Sequence, residues 1–122
     1  MKALFDTNIL IDYLNGIEAA RDELGRYEWR LISLVSWMEV MVGAQGGDEP
    51  TVRGFLARFR CVGVDAEIAE RAVVIRRNLR LKLPDAIVRA TAARESALLI
   101  TRNTKDFGAD DPGVHMPYRL DP

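Results

Sequence analysis

Short apolar runs alternate along this chain with longer segments patterned like helices, and that alternation restricts the fold more than any other feature. Residues 3–5, 31–34 and 97–100 are the clearest short runs. The last is apolar at every position, as expected of a strand buried on both faces. Between the first two, Ile9, Leu10, Tyr13 and Leu14 recur at helical spacing, with Asn8 placed to cap that helix and Gly16 to stop it. Residues 18–27 are charged and moderately helical. A further helix starts at Ser33 or Ser36 and ends between Gly43 and Gly47. Pro50 opens another, which carries Val52, Phe55, Leu56 and Phe59. Residues 61–64 read as a brief extended piece. Asp65 caps a long helix with Ile68, Ala69, Ala72, Val73, Ile75 and Leu79, and Pro84 opens the next. That helix is rich in small residues, Ala86, Ala90, Thr91, Ala92 and Ala93, so it can lie close to a sheet. An edge strand is expected between residues 114 and 120. This order of elements predicts an α/β fold: a central parallel sheet of four to five strands flanked by helices. At 122 residues, a single domain over 1–122 is expected.

Composition narrows the class. With 48% hydrophobic and 29% charged residues, the chain has the means to build one core and is not of the disordered type. The net charge of −1 excludes a bulk polycation, so nucleic acid would be met by a local basic patch or through metal. A single cysteine, Cys61, cannot form an internal disulfide, which favours a reducing compartment. The apolar stretch before Asp6 is too short for a signal peptide, and no run approaches the roughly 18 residues of a membrane span. A cytoplasmic location is expected.

Four acids, Asp6, Glu39, Asp85 and Asp106, stand where a strand is expected to end or a helix to begin. In a parallel α/β domain all strand C-termini open on one edge, where sites form. Carboxylates gathered there repel one another unless cations lie among them. Hard oxygen ligands suit Mg²⁺, with Mn²⁺ able to substitute. Each acid alone has a plainer reading: acidic residues complement helix N-termini, and Ser36 with Glu39 fits a capping box. Capping does not account for the apolar walls that follow Asp85 and precede Asp6, and partly buried carboxylates without partners are costly. Asp12 is a fifth acid, about a turn further along its helix, where a supporting or surface role is expected. Thr7, Asn8, Thr101 and Asn103 are neutral groups able to orient carboxylates or metal-bound waters. The only histidine, His115, lies in the tail, and no serine or cysteine stands beside it, so metal-activated water is the simplest nucleophile. Arg102 and Lys105 belong to the motif of the last acid, and Arg80 and Lys82 precede Asp85; these four are candidate RNA contacts, with a solvated charged face as the alternative for Arg80 and Lys82.

Phe5-Asp6-Thr7-Asn8-Ile9-Leu10-Ile11, Trp37-Met38-Glu39-Val40, Leu83-Pro84-Asp85-Ala86-Ile87-Val88 and Thr101-Arg102-Asn103-Thr104-Lys105-Asp106-Phe107, in this order, resemble the motifs of a PIN domain. More narrowly they resemble the VapC-type ribonuclease toxins of toxin–antitoxin pairs, over nearly the whole chain. The resemblance implies a Mg²⁺- or Mn²⁺-dependent endoribonuclease that cleaves structured RNA, either tRNA or rRNA. It implies that Asp6, Glu39 and Asp85 match the core metal-binding acids. Some relatives carry their last acid where this chain has Asn103, others where it has Asp106; Asp106 is taken as the fourth acid, with Asn103 orienting it or binding through water. It further implies a homodimer silenced by a cognate VapB-like antitoxin in a heterotetramer or larger assembly. The antitoxin tail would cover the acids, along Ile9, Leu10, Tyr13, Leu14 and residues 52–59, although those residues read equally well as core. Two other readings compete. A non-catalytic PIN-like binding module would keep the fold without cleavage. A phosphoryl-transfer α/β domain would also place an acid after its first strand, but the second aspartate of dehalogenase-like phosphatases is replaced here by Asn8; a dinucleotide-binding fold would need a glycine-rich loop after that strand, and there is none.

Overall fold

A computed structural model describes residues 1–108 and 110–120. Five parallel strands form one sheet in the order β3-β2-β1-β4-β5. They are β1 (Lys2–Phe5), β2 (Trp29–Ser33), β3 (Arg60–Val62), β4 (Leu98–Ile100) and β5 (Val114–His115). The helices are α1 (Thr7–Leu14), α2 (Glu18–Leu24), α3 (Leu34–Gly43), α4 (Glu49–Leu56), α5 (Ala66–Leu79), α6 (Leu83–Arg94) and the single turn α7 (Thr104–Phe107). The expected parallel sheet flanked by helices is present. None of the described helices is long and apolar enough to cross a membrane.

The strands' two-residue pleat divides the core. Phe5, Ile32 and Ile100 point to one face and pack with Ile9 and Leu10 of α1 and with Phe55 and Leu56 of α4. Leu4, Leu31 and Leu99 point to the other and meet Ile68 and Ala72 of α5 and Ala86, Val88 and Ala90 of α6. Phe5 stands edge-on to both Tyr27 and Phe59, with ring centroids 5.9 Å apart in each case. The small residues Ala86, Ala90 and Ala92 of α6 are buried in this second cluster.

Helix starts follow local chemistry. Asp65 caps α5 by accepting from the Ile68 N–H, and Pro50 and Pro84 sit in the first turns of α4 and α6. The cap of α1 differs from expectation, and of the two starts left open for α3 one is realised. Asp6, not Asn8, caps α1, because its backbone is still extended while its carboxylate accepts from the Thr7 N–H. Ser33, not Ser36, caps α3 through the Val35 N–H, so no Ser36–Glu39 capping box forms. The C-terminal edge strand is confined to Val114–His115. Pro117 has no N–H to continue the ladder, and the tail leaves the sheet.

Helix α5 ends on Arg80, whose φ of 56° places a residue with a Cβ in the left-handed region. Such a conformation costs about 1–2 kcal/mol, partly offset in glycine by its greater chain entropy. Arg80→Gly is expected to stabilise the fold by about 0.5–1 kcal/mol in urea denaturation; no change in midpoint would mean that the arginine side chain contributes a compensating contact.

Candidate active site

All four candidate acids belong to the edge where the strands end. Asp6 leaves β1 directly, and its N–H still pairs with Ile100 O of β4 at 2.9 Å. Glu39 lies in the second turn of α3, just beyond β2. Thr101 to Asp106 follow β4. Helix α6 reaches the start of β4 after a short turn, so it runs against the strands, and its first turn brings Asp85 to the same edge.

The acids feel one another. Asp6 is 5% exposed, and burial above all holds its carboxyl up, at about 6 against an ordinary 3.8. Hydrogen bonds from Thr101 and Thr7 pull it back down, while the charges of Asp85 and Glu39 push it up. Asp85 is also raised, first by burial, then by Asp106 and Glu39, with Lys82 opposing. The four carboxylates therefore form one electrostatic group.

Neutral side chains hold this group in place. The Thr7 N–H donates to Asp6 Oδ1 at 2.8 Å, and the Thr101 hydroxyl donates to Asp6 Oδ2 at 2.8 Å. Asn8 Nδ2 donates to Asp6 Oδ2 at 3.3 Å and to Thr101 Oγ1 at 3.2 Å. The Thr7 hydroxyl donates to Glu39 Oε1 at 2.7 Å and lies 2.9 Å from the buried Ser36 Oγ. Asn103 Nδ2 donates to Asp106 Oδ2 at 2.9 Å, and Asn103 Oδ1 accepts from the Asp106 N–H at 3.3 Å. Asn8, Thr101 and Asn103 thus all touch candidate acids or each other. Ser36 was not anticipated; only its apolar neighbours Val35 and Trp37 hinted that it faces inward.

The basic candidates separate. Lys82 stands at the start of α6 with its charge on Asp85. Lys105 and Arg80 are exposed. The Arg102 guanidinium is engaged by Asp12, with Nε donating to Oδ2 at 2.6 Å and Nη2 to Oδ1 at 3.0 Å. Asp12 is itself buried and not a surface acid. His115 Nε2 lies 3.6 Å from Glu23, and the His115 carbonyl accepts from the Thr101 N–H at 3.1 Å. The early apolar helix residues also separate. Ile9 and Leu10 are fully buried core, whereas Ile11 and Leu14 line a groove of about 410 Å³ with Val40, Val52 and Glu39.

Among the described residues, no three His, Cys, Asp or Glu side chains close on a common point as a ready-made ion cage. The donor set nevertheless suits a hard cation that keeps most of its waters, since Mg²⁺ needs only one or two direct carboxylates. The buried Asp6 and the half-buried Asp85, which repel each other, are the observation that favours such a cation.

Comparison with known proteins identifies the family. The PIN domain family profile matches residues 3–109. Ribonuclease VapC10 of Mycobacterium tuberculosis (strain CDC 1551 / Oshkosh) is 35% identical over 112 residues, covering 85% of this chain and 84% of that protein. The fold superposes on a chain of a toxin–antitoxin complex from Klebsiella pneumoniae with a TM-score of 0.92 at 48% identity, covering 98% of this chain and 100% of that one. FitAcB from Neisseria gonorrhoeae, at 24% identity and a TM-score of 0.80 over 97% of this chain and 99% of that one, shares the fold. A profile match over almost the whole chain, together with a ribonuclease relative aligned along most of its length, means that the chain belongs to the PIN-domain family, in its VapC ribonuclease branch.

Proposed function

We propose that this protein is a metal-dependent endoribonuclease and the toxin of a toxin–antitoxin pair, acting on structured RNA of the tRNA or rRNA type. The observation that carries the reading is Asp6: a buried carboxylate at a strand end, held up by burial and by two further acids, with the Thr101 hydroxyl, the Asn8 amide and the Thr7 N–H turned to orient it. Asp6, Glu39, Asp85 and Asp106 would hold Mg²⁺, or Mn²⁺ in its place, which supplies an activated water and offsets charge on the phosphate and the leaving oxygen. The protein's own residues do the rest. Thr101 and Asn8 keep Asp6 in one rotamer. Thr7 holds Glu39, and Asn103 holds Asp106. Lys82 and Lys105 present cations beside the acids, where an RNA backbone would approach.

The groove lined by Ile11, Leu14, Val40 and Val52, with Glu39 among its polar residues, offers a seat for a VapB-like antitoxin segment reaching the acids. The relative from Klebsiella pneumoniae was solved within a toxin–antitoxin complex, which supports this partner. Leu34, Met38 and Val42 repeat at four-residue spacing along α3 and are all exposed, a stripe suited to a homodimer contact and hence to a heterotetramer or larger assembly with antitoxin.

The test is cleavage of total cellular RNA by antitoxin-free protein with Mg²⁺, Mn²⁺ or EDTA, beside Asp6→Asn and Asp85→Asn. Discrete products that need metal and vanish in both variants are expected, and mapping their ends would identify the RNA. Folded wild type that cleaves nothing would favour a non-catalytic binding module.

A further inference from the structure

Asp12 lies outside the group of acids and is 4% exposed. A carboxylate buried to that degree needs donors. It has three: Arg102 Nε at 2.6 Å, Arg102 Nη2 at 3.0 Å and the Tyr118 hydroxyl at 2.7 Å. The arginine pair is bidentate, which fixes orientation as well as distance. A buried ion pair adds little net stability over apolar residues of similar volume; its best-attested use is to select one geometry.

The geometry it selects belongs to the segment after β4. Arg102 is the residue between Thr101, which holds Asp6, and Asn103, which holds Asp106. Its N–H donates to Asn8 Oδ1 at 3.2 Å, and the Asn103 N–H donates to Thr101 Oγ1 at 2.9 Å. Three consecutive residues are thereby tied down, and Arg102 alone is tied by a charge pair to a rigid helix. Asp106 is exposed, and among the described residues its carboxylate accepts only from Asn103. Its place therefore depends on the course of this segment. Tyr118 reaches Asp12 from the tail beyond β5, with its ring packed against the α1 side of the core.

We propose that Asp12 is a positioning residue for the acid site, holding the 101–106 segment, and with it Asp106, through Arg102 and the Tyr118 strap. This rests on the nuclease reading above. Arg102 accordingly acts on the site from behind and not as an RNA contact.

The experiment uses the full chain and two variants. Asp12→Asn removes the charge at constant shape, and Tyr118→Phe removes one hydrogen bond while keeping the packed ring, so the second folds even if the first does not. Amide hydrogen exchange is measured at Arg102, Asn103 and Asp106 without metal or RNA, and Mn²⁺ affinity is measured by titration calorimetry. Exchange at those three amides is expected to rise about tenfold, with β1 and β4 unchanged, and Mn²⁺ affinity to fall about tenfold in Asp12→Asn and less in Tyr118→Phe. Asp12→Glu, which restores the charge, is expected to recover part of the affinity. Unchanged exchange in folded variants would overturn the proposal, as would faster exchange with unaltered Mn²⁺ affinity. A wild type that neither binds Mn²⁺ nor cleaves RNA would sink the nuclease reading and this proposal with it, and is recognised before any variant is made.

Discussion

Asp6→Asn is expected to reduce RNA cleavage by roughly a hundredfold or more, since even outer partners of a metal ligand account for 10–100-fold, while leaving the metal-free protein slightly more stable at pH 8. The two effects have one cause. The Asp6 carboxyl sits at about 6 in the fold against an ordinary 3.8. A raised carboxyl means that the folded state holds the proton more tightly than the unfolded chain. The group's contribution is thus intact below pH 4 and is lost as pH rises through 6. Above that, the ionised group costs the fold about 3 kcal/mol on the order-of-magnitude scale of 1.4 kcal/mol per tenfold change. Asparagine carries no charge at any pH, so it escapes this cost. It loses part of the bonding that Oδ2 makes, because an amide nitrogen cannot accept from both Asn8 and Thr101. The net expectation is a gain of about 1 kcal/mol at pH 8 and a deficit of about 1 kcal/mol at pH 4.5. Urea denaturation in EDTA at both pH values checks it. A variant less stable than wild type at both would show that hydrogen bonding, not charge burial, dominates at this position.

Which parts of this design can be read from residues alone depends on the range of the interactions. The Asp65 cap and the starts at Pro50 and Pro84 involve a residue and its near neighbours, and each is found where the residues place it. The strand ends bearing the acids were also legible, because an apolar run that stops at a carboxylate is a local event. The cap of α1 was misplaced by two residues for a long-range reason. Asn8 is a good capping residue in isolation, but the Asp6 N–H is held by Ile100 O across the sheet, which keeps Asp6 extended and makes it the cap. Asn8 is left free to bridge Asp6, Thr101 and Arg102. The partner of Arg102 was hidden for the same kind of reason. A basic residue beside a motif acid resembles a phosphate contact, and only the packing of α1 against the segment after β4 discloses that a buried aspartate ninety positions away takes its guanidinium. Tyr118, further still along the chain, carried no local signal. Ile9, Leu10, Ile11 and Leu14 are alike in composition, and the rotation of α1 on the sheet alone decides which pair is core and which lines a groove.

Thr101→Val should have the second large effect, and its signature is a shift in pH dependence. Thr101 is fully buried, and its hydroxyl serves three partners: it donates to Asp6 Oδ2 and accepts from Asn8 Nδ2 and the Asn103 N–H. Valine fills nearly the same space but leaves those groups unmatched, at a cost of about 2–3 kcal/mol. The Thr101 bond is also the largest influence lowering the Asp6 carboxyl. Without it, burial acts with less opposition, and the carboxyl rises above 6. The window in which the fold loses stability then extends toward neutral pH, so the variant's deficit grows between pH 6 and 8. At pH 7 a larger share of Asp6 is protonated and unable to meet a cation. Cleavage at pH 7 should fall roughly 10–100-fold and recover in part at pH 8.5, whereas Thr101→Ser, which keeps the hydroxyl, should track wild type. The Asp6 carboxyl can be followed by carbon-13 NMR in metal-free protein, beside cleavage at pH 6, 7 and 8.5. An Asp6 titration unmoved by Thr101→Val would show that the hydroxyl positions the segment without tuning the acid, and a cleavage loss equal at all three pH values would say the same from the kinetic side.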